Sequence, residues 1–245
     1  MRIQISGSGP AVVFIHGWAA SGRVMQGMAM DLERKYETHV LDLPGHGDAV
    51  TGRTDFTLAE LMQPVIDYVG DMAAPPALVG WAMGAMISLK VAATTKVRGA
   101  ICIGTPSGGP EHGPVFEKLA ARMSRDWPRY VRSSVDAIVG DRVSLEMHQF
   151  IRAVMQQTPP SLARRTLIEV AKHDPTEWAR QIDCPILYVH GAEDKISPVA
   201  VSEALAKASP KGILKIYDGI GHAPFLEAYE AFLADMNAFM ETIHG

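Results

Sequence analysis

The stretch LVGWAMGAM (78–86) passes directly from a run typical of a buried strand into a run typical of a helix. Its pattern is G-x-A-x-G, with Gly80 and Gly84 on either side of Ala82. In a nucleophile elbow the central residue adopts a strained backbone conformation, so its side chain stands clear of the sheet. A side chain in place of either glycine would collide with the neighbouring strand or helix. The stretch therefore predicts such an elbow, although Ala82 has a methyl group where a nucleophile is expected.

Short apolar runs on both sides of this stretch alternate with amphipathic segments. The runs predicted as strands are AVVFIH (11–16), THVLDL (38–43), PALVGW (76–81), GAICIG (99–104), PILYVHG (185–191) and ILKIYDG (213–219). The segments predicted as helices are 23–35, 57–73, 83–96, 198–208 and 225–243. Most of the strand runs are continuously apolar, as expected for strands covered on both faces of a parallel sheet. The alternation predicts an α/β fold with a mostly parallel, doubly wound sheet.

The alternation stops between residues 106 and 180, where helical pieces follow one another with Pro and Gly between them. We interpret residues 107–180 as a helical lid inserted into an α/β core, which residues 1–106 and 181–245 form. The lid segment carries 11 basic and 9 acidic side chains, whereas the whole chain carries 23 and 27. A mildly basic segment within an acidic protein is suited to an acidic ligand.

Composition excludes several classes of function. A net charge of −4 argues against nucleic acid as the main partner. No apolar run reaches the roughly 18 residues that span a bilayer, and the N-terminal segment lacks the apolar core of a signal peptide. Cys102 and Cys184 lie far apart in strand-like runs, which favours free thiols and a reducing cytoplasm. We also expect a monomer without a membrane partner. Because nucleotide-binding loops and ligand clusters are missing, we expect no cofactor and no metal.

Two further motifs follow predicted strands at the carboxyl edge of the sheet. HGAED (190–194) places Asp194 after one strand, and GIGHAPF (219–225) places His222 after the next. Alone, such an aspartate is usually solvated and such a histidine usually fills space. The chain order of nucleophile position, acid and histidine is that of an α/β-hydrolase triad. In such a triad the histidine accepts the proton of the nucleophile, and the carboxylate orients the imidazole.

An oxyanion hole is predicted from FIHGW (14–18) and from the elbow. Its donors would be the backbone N–H groups of Trp18 and of Met83, which follows the nucleophile position. We interpret His16 as a residue that bonds within its own loop rather than as a second base. Asp42 and His46, in the turn DLPGHG (42–47), are interpreted in the same way.

Over nearly its whole length the chain resembles the α/β-hydrolase superfamily, through HGW, DLPGHG, GWAMG, GAED and GHAPF. Within it, the chain resembles the pimeloyl-acyl-carrier-protein methyl ester esterases of biotin synthesis, through GW-x-x-G, HGW and HAPF. Two positions depart from that family. It has Ser where this chain has Ala82, and commonly a second Gly where this chain has Ala85. The second departure is a minor packing change, but the first removes the reaction.

An alanine at position 82 cannot form an acyl-enzyme, and no neighbour in the sequence replaces it. Ser88 lies about a turn and a half further along the helix, and Cys102 belongs to another strand. Natural loss of the serine would leave a ligand-binding protein on a hydrolase fold, whereas deliberate replacement would trap intact substrate. Without selection for activity, Asp194 and His222 should have drifted. Their presence favours an engineered Ser-to-Ala substitution.

The lid selects the substrate in this fold, because it covers the pocket above the nucleophile. The lid arginines are Arg122, Arg125, Arg129, Arg132, Arg142, Arg152, Arg164 and Arg165. A run of charge is often only a solvated face. In the resembled esterases, however, lid arginines hold the acyl carrier protein, and DWPRYVR (126–132) looks like their arginine-bearing helix. The resemblance thus implies carrier contacts by Arg129 and Arg132, spaced i, i+3. Residues predicted to line an acyl-chain channel are Trp81, Phe116, Met123 and Phe150.

Three hypotheses for function follow. The first is a serine carboxylesterase that hydrolyses the methyl ester of pimeloyl-acyl carrier protein, here in a form without its nucleophile. The second is a generalist esterase, lactonase or C–C bond hydrolase that acts on small molecules with the same triad. The third is a non-catalytic ligand receptor in which Ala82 is native.

Overall fold

A computed structural model describes residues 1–109, 113–123 and 125–244 of the chain. Its sheet has seven strands: β1 (Arg2–Gly7), β2 (Ala11–Ile15), β3 (Glu37–Asp42), β4 (Ala77–Trp81), β5 (Gly99–Ile103), β6 (Ile186–Gly191) and β7 (Gly212–Tyr217). The strand order is β1-β3-β2-β4-β5-β6-β7, and only the β1–β3 pair is antiparallel. The predicted α/β fold with a mostly parallel sheet is confirmed.

Helices cover both faces of this sheet. They are α1 (Gln26–Leu32), α2 (Leu58–Gly70), α3 (Met83–Thr94), α4 (Gly113–Met123), α5 (Trp127–Val139), α6 (Leu145–Gln156), α7 (Pro160–Val170), α8 (Thr176–Ala179), α9 (Val199–Ala208), α10 (Pro224–Glu227) and α11 (Tyr229–His244). Along β2, Val12 and Phe14 pack with the layer of α1 and α11, whereas Val13 and Ile15 pack with the layer of α2 and α3. Alternate strand residues therefore enter opposite core layers, as in a doubly wound fold.

Strands β2 to β7 match the six predicted strands to within two residues at each end, but β1 has no counterpart among them. Its residues are half-buried or exposed, and Ile5 is among the exposed apolar side chains. β1 lies at the edge of the sheet and pairs antiparallel with β3, where Ile3 faces Leu41. Strand β1 therefore forms through backbone pairing with β3. Because such pairing requires no apolar run, the sequence pattern did not predict this strand.

Two predicted helices have different bounds. The predicted helix 23–35 is a 3₁₀ turn (Gly22–Met25) followed by α1, which ends at Leu32. The predicted helix 225–243 is two helices, because the backbone of Ala228 leaves the helical region between α10 and α11. Helix α2 begins at a capping box in which Thr57 and Glu60 satisfy each other's backbone N–H groups.

The described residues of 107–180 form helices α4 to α8 between β5 and β6, and no strand is found among them. Helix α5 packs on α6, and α4 packs on α7. Met123, Val135 and Ile138 of this segment belong to the same apolar cluster as Ala82. The segment is called the insertion below; its role as a lid stays a prediction.

Candidate active site

Ala82 forms the turn between β4 and α3. Its φ is 50° and its ψ is −115°, in a region that residues with a side chain rarely adopt. The Ala82 N–H donates to the carbonyl oxygen of Ile103 on the neighbouring strand, at 2.8 Å. The backbone at this position thus has the strained geometry of an elbow, although the side chain is a methyl group.

Gly80 and Gly84 allow α3 to approach the sheet. A Cβ at Gly80 would lie 2.3 Å from the carbonyl oxygen of Gly84, and a Cβ at Gly84 would lie 2.0 Å from that of Ile15. Contacts this short with backbone atoms do not occur in real proteins, so any other residue would displace the helix. Both glycines are therefore needed for the turn that presents position 82.

Neither neighbouring nucleophile takes the place of the missing hydroxyl. The buried Ser88 hydroxyl donates to the carbonyl oxygen of Gly84 at 2.9 Å, within its own helix. Burial raises the pKa of the Cys102 thiol far above its usual range, and its Sγ lies 3.8 Å from the carbonyl oxygen of Ala85. A buried thiol that stays protonated is not nucleophilic.

Asp194 and His222 come together from two loops. Nδ1 of His222, after β7, lies 2.7 Å from Oδ2 of Asp194, after β6, and both side chains are almost fully buried. Burial alone raises the pKa of the Asp194 carboxyl, but the charge of His222 and hydrogen bonds from its neighbours outweigh burial and hold that pKa well below its usual range. The carboxylate is therefore ionised, and it fixes the proton of His222 on Nδ1, as a triad requires.

Three groups hold the His222 loop, and two of them, Ile138 and Trp81, are distant in sequence. The Glu227 carboxylate accepts the N–H groups of Gly221 and Ala223 at 2.9 and 3.2 Å, on both sides of the histidine. The N–H of His222 donates to the carbonyl oxygen of Ile138 at 3.1 Å. The Trp81 indole donates to the carbonyl oxygen of His222, also at 3.1 Å. No short motif marks Glu227 or Ile138, so the sequence did not reveal these supports.

The predicted oxyanion donors lie at a loop end and a helix start. Met83 is the first residue of α3, and within residues 1–109, 113–123 and 125–244 neither its N–H nor that of Trp18 donates to a protein acceptor. The Trp18 loop is tied to the insertion, because its indole donates to the carbonyl oxygen of Ala163 at 2.8 Å. The buried hydroxyl of Thr158 donates to the carbonyl oxygen of Ala19 at 3.0 Å. The catalytic role of the Trp18 and Met83 N–H groups stays a prediction.

The loop histidines are used internally. Nδ1 of His16 donates to the carbonyl oxygen of Gly17 at 2.8 Å, and its Nε2 accepts the N–H of Leu43 at 3.1 Å. Burial lowers the pKa of His16 to about 4 and that of His46 to about 3. Both rings are therefore neutral near pH 7, and His16 has no free nitrogen with which to act as a second base.

The Asp42 carboxylate is likewise used within its loop. Oδ1 accepts the N–H of Gly22, and Oδ2 accepts the N–H of Asp48, each at 2.8 Å. Asp42 therefore joins the turn after β3 to the start of the 3₁₀ turn, in agreement with its interpretation as a loop-fixing residue.

The side chains predicted to line an acyl channel are dispersed in the described part of the chain. Trp81 is buried beneath His222, with the ring centroids 5.8 Å apart. Met123 is buried in the cluster that contains Ala82. Phe116 lines a separate surface cavity of about 240 Å³ between α4 and α7, and Phe150 on α6 is 41% exposed. Of these four side chains, only Trp81 and Met123 therefore belong to the apolar cluster that contains Ala82.

The predicted docking arginines lie on α5. Arg129 and Arg132 are exposed, and neither forms an ion pair with a described residue. Two other lid arginines are already paired: Arg152 with Asp136 at 2.5 Å, and Arg165 with Glu169 at 3.2 Å. Arg129 and Arg132 are thus available to an external anion.

Among the described residues, no group of three or more His, Cys, Asp or Glu side chains is arranged to hold a metal ion. The helices of the described ranges include none that is long and apolar enough to cross a membrane.

The chain matches a known protein family and relatives among the named proteins. The model of the "Alpha/beta hydrolase family" matches residues 12–235. A "Pimeloyl-[acyl-carrier protein] methyl ester esterase" from Xanthomonas axonopodis pv. citri is 31% identical over 96% of this chain and 100% of its own. One of the same name from Stenotrophomonas maltophilia is 32% identical over 99% and 97%.

The matches to solved structures support the fold alone, because the sequence identities between those proteins and this chain are low. An esterase from Exiguobacterium antarcticum aligns with a TM-score of 0.91 and 18% identity, over 98% of this chain and 94% of its own. MenH from S. aureus aligns with a TM-score of 0.85 and 18% identity, over 99% of both chains. The predicted α/β-hydrolase architecture is confirmed by these alignments.

Proposed function

The chain belongs to the alpha/beta hydrolase family, and from this premise we propose that it is a serine carboxylesterase for the methyl ester of pimeloyl-acyl carrier protein, in a form without its nucleophile. The pair formed by Asp194 and His222, beside an elbow with Ala82 at its tip, is the observation that carries the proposal. Two relatives that align along nearly their whole length bear the name of that activity, which supports the substrate.

With a serine at position 82, the proposed reaction runs through the following steps. The serine Oγ attacks the ester carbonyl carbon while Nε2 of His222 takes its proton, since Nδ1 is held by Asp194. The N–H groups of Trp18 and Met83 stabilise the negative oxygen of the tetrahedral intermediate. His222 then returns the proton to the leaving methoxide, and methanol departs. A water molecule attacks the acyl-enzyme, with His222 again as base, and releases the free carboxylate.

The methyl group of Ala82 stops this sequence before its first step. We therefore propose that Ala82 replaces a serine and that the chain binds the acylated carrier without turning it over. The strained backbone and both flanking glycines persist although no nucleophile uses them, which supports replacement over long-standing loss. The free thiols of Cys102 and Cys184 are consistent with the cytoplasmic location that we propose.

We place the carrier on the outer face of α5. Arg129 and Arg132 are exposed one turn apart, and guanidinium groups match both acidic helices and the phosphate of a phosphopantetheine arm. The same helix supplies Ile138, whose carbonyl oxygen accepts the N–H of His222. The proposed docking face and the triad loop are therefore joined through a single helix.

The test is Ala82→Ser, assayed on short p-nitrophenyl esters and on the methyl ester of the pimeloyl carrier, with methanol release as the readout. We expect turnover of both esters, and its loss when His222→Gln is added to Ala82→Ser. The double variant is the matched control, because it keeps the new hydroxyl and removes only the base. A folded Ala82→Ser protein that hydrolyses no acyl ester would contradict the esterase proposal.

Two alternatives give different outcomes in the same experiment. The methyl group of Ala82 is the observation that favours a non-catalytic ligand receptor, which would bind an ester ligand and stay inactive as Ala82→Ser. A generalist small-molecule esterase, lactonase or C–C hydrolase would be active on small substrates. It would show no preference for the carrier-bound ester and no affinity for the carrier.

A further inference from the structure

A second histidine lies against the acid of the proposed triad. His190 is a residue of β6 and its side chain is fully buried. Its Nε2 lies 3.0 Å from Oδ2 of Asp194 and 2.9 Å from the carbonyl oxygen of Ser197. Both oxygens only accept hydrogen bonds, so Nε2 carries a proton and donates it. On the other side of the ring, Nδ1 lies 2.8 Å from the hydroxyl of Ser202 on α9.

With this contact, four N–H groups lie within 3.0 Å of the Asp194 carboxylate oxygens. Oδ1 accepts the N–H groups of Ile196 and Ser197 at 2.7 and 3.0 Å. Oδ2 accepts Nδ1–H of His222 at 2.7 Å, and Nε2 of His190, whose proton also faces the carbonyl oxygen of Ser197, lies 3.0 Å from the same Oδ2. An ionised carboxylate has about four lone-pair sites, so each of these N–H groups has a site that it can approach. The oxygen that faces His222 is therefore shared between two imidazole rings.

We propose that His190 is a positioning residue, whose Nε2–H holds Oδ2 of Asp194 in the orientation that His222 requires. If a buried carboxylate loses one hydrogen-bond donor, no bulk water is present to replace that donor. The carboxylate must then rotate or admit a water molecule. The inference rests on the proposed function, in which Asp194 orients the catalytic base. His190 itself touches neither position 82 nor, in this role, a substrate.

The surroundings of His190 fit this role. Ser202 is fully buried, and its contact with Nδ1 fixes the ring from the side opposite Asp194. The other carboxylate near His222 is Glu227, which bonds the backbone on both sides of that residue. A change at His190 therefore alters the hydrogen bonds of Asp194 and leaves those of Glu227 in place.

The test compares two substitutions of similar size in the Ala82 chain. This comparison requires no catalytic turnover. His190→Gln keeps an N–H donor near the Nε2 position, whereas His190→Met removes it. The readout is the low-field proton resonance of His222 Nδ1–H in ¹H NMR, assigned by its loss in His222→Gln. We expect the resonance to be displaced and to exchange faster with water in His190→Met, and to stay in place in His190→Gln.

A second variant keeps the test decisive if His190→Met does not fold. Ser202→Ala leaves the imidazole present but frees its Nδ1 side, so it should displace the same resonance by a smaller amount. Thermal unfolding of each variant is measured in parallel, because a purely structural role would lower the melting temperature without moving this resonance. An unmoved resonance in the folded variants overturns the proposal.

Kinetics in the Ala82→Ser background provide an independent readout. One hydrogen bond to a charged group corresponds to about a 10-fold change in rate or more. We expect His190→Met to lower kcat by about that factor with KM unchanged, and His190→Gln to retain most of kcat. If Ala82→Ser is itself inactive, the proposed function fails, while the NMR comparison still decides the role of His190.

Discussion

Ala82→Gly should reveal strain that is stored at the nucleophile position. Ala82 adopts φ 50° and ψ −115°, a conformation that costs a residue with a side chain about 1–3 kcal/mol. Glycine adopts it without that cost. The substitution also removes a buried methyl group, worth about 0.8 kcal/mol, and adds about 0.4–1 kcal/mol of unfolded-state entropy. Release of the strain therefore stabilises the Ala82→Gly variant. The lost methyl group and the added unfolded-state entropy destabilise it, as they do in every buried Ala-to-Gly change.

Ala85→Gly is the matched control, because Ala85 is also buried and lies only three residues further along, within α3. Both variants lose one methyl group and gain the same unfolded-state freedom, but only Ala82→Gly releases strain. Ala82→Gly should therefore be more stable than Ala85→Gly by about 1–3 kcal/mol. At roughly 2–4 °C per kcal/mol for a chain of this size, its melting temperature should be about 2–12 °C higher.

The assay is calorimetric or circular-dichroism unfolding of both variants and the parent, with urea unfolding for the free energies. Ala19→Gly provides a second positive case, because Ala19 is buried with φ 52°. Equal stability of Ala82→Gly and Ala85→Gly would refute the strain at position 82, and with it the interpretation of this turn as an elbow held under tension.

The other predictions concern the acid, the docking face and pH. Asp194→Asn in the Ala82→Ser enzyme should lower kcat by about 10⁴-fold with far less effect on stability; unchanged turnover would mean that another acid serves His222. Reversing Arg129 and Arg132 to Glu in the Ala82 chain should weaken binding of the acylated carrier by about 10-fold or more at low salt. The same reversal should leave hydrolysis of p-nitrophenyl esters by Ala82→Ser intact, and equal carrier affinity would exclude these arginines. Burial holds the pKa of His16 and His46 at about 4 and 3, below the unfolded value near 6.5, so the unfolded state binds more protons in acid. Urea unfolding should therefore show stability falling as pH drops from 6.5 toward 4, by up to about 1.4 kcal/mol per pH unit for each histidine, and a flat profile would contradict their burial as neutral rings.

Local patterns in the chain were sufficient for the main architecture. Continuous apolar runs predicted β2 to β7, because strands covered on both faces need apolar residues at every position. The spacing of Gly80, Ala82 and Gly84 predicted the elbow, because the steric demand of that turn acts on neighbouring residues. The order of Asp194 and His222 after successive strands placed them at one edge, where the structure finds them 2.7 Å apart.

Only the tertiary structure decided which distant groups support the site. β1 joins the sheet through backbone pairing with β3, and such pairing selects no side chain that a sequence pattern would reveal. Phe116 and Phe150 lie away from the cluster around Ala82, because the packing of α4 and α6 within the insertion sets the directions of their side chains. Ile138 reaches His222 from 84 positions earlier in the chain. Hydrogen bonds of this kind depend on how whole helices dock, and periodicity in a sequence reports only which face of each helix is apolar.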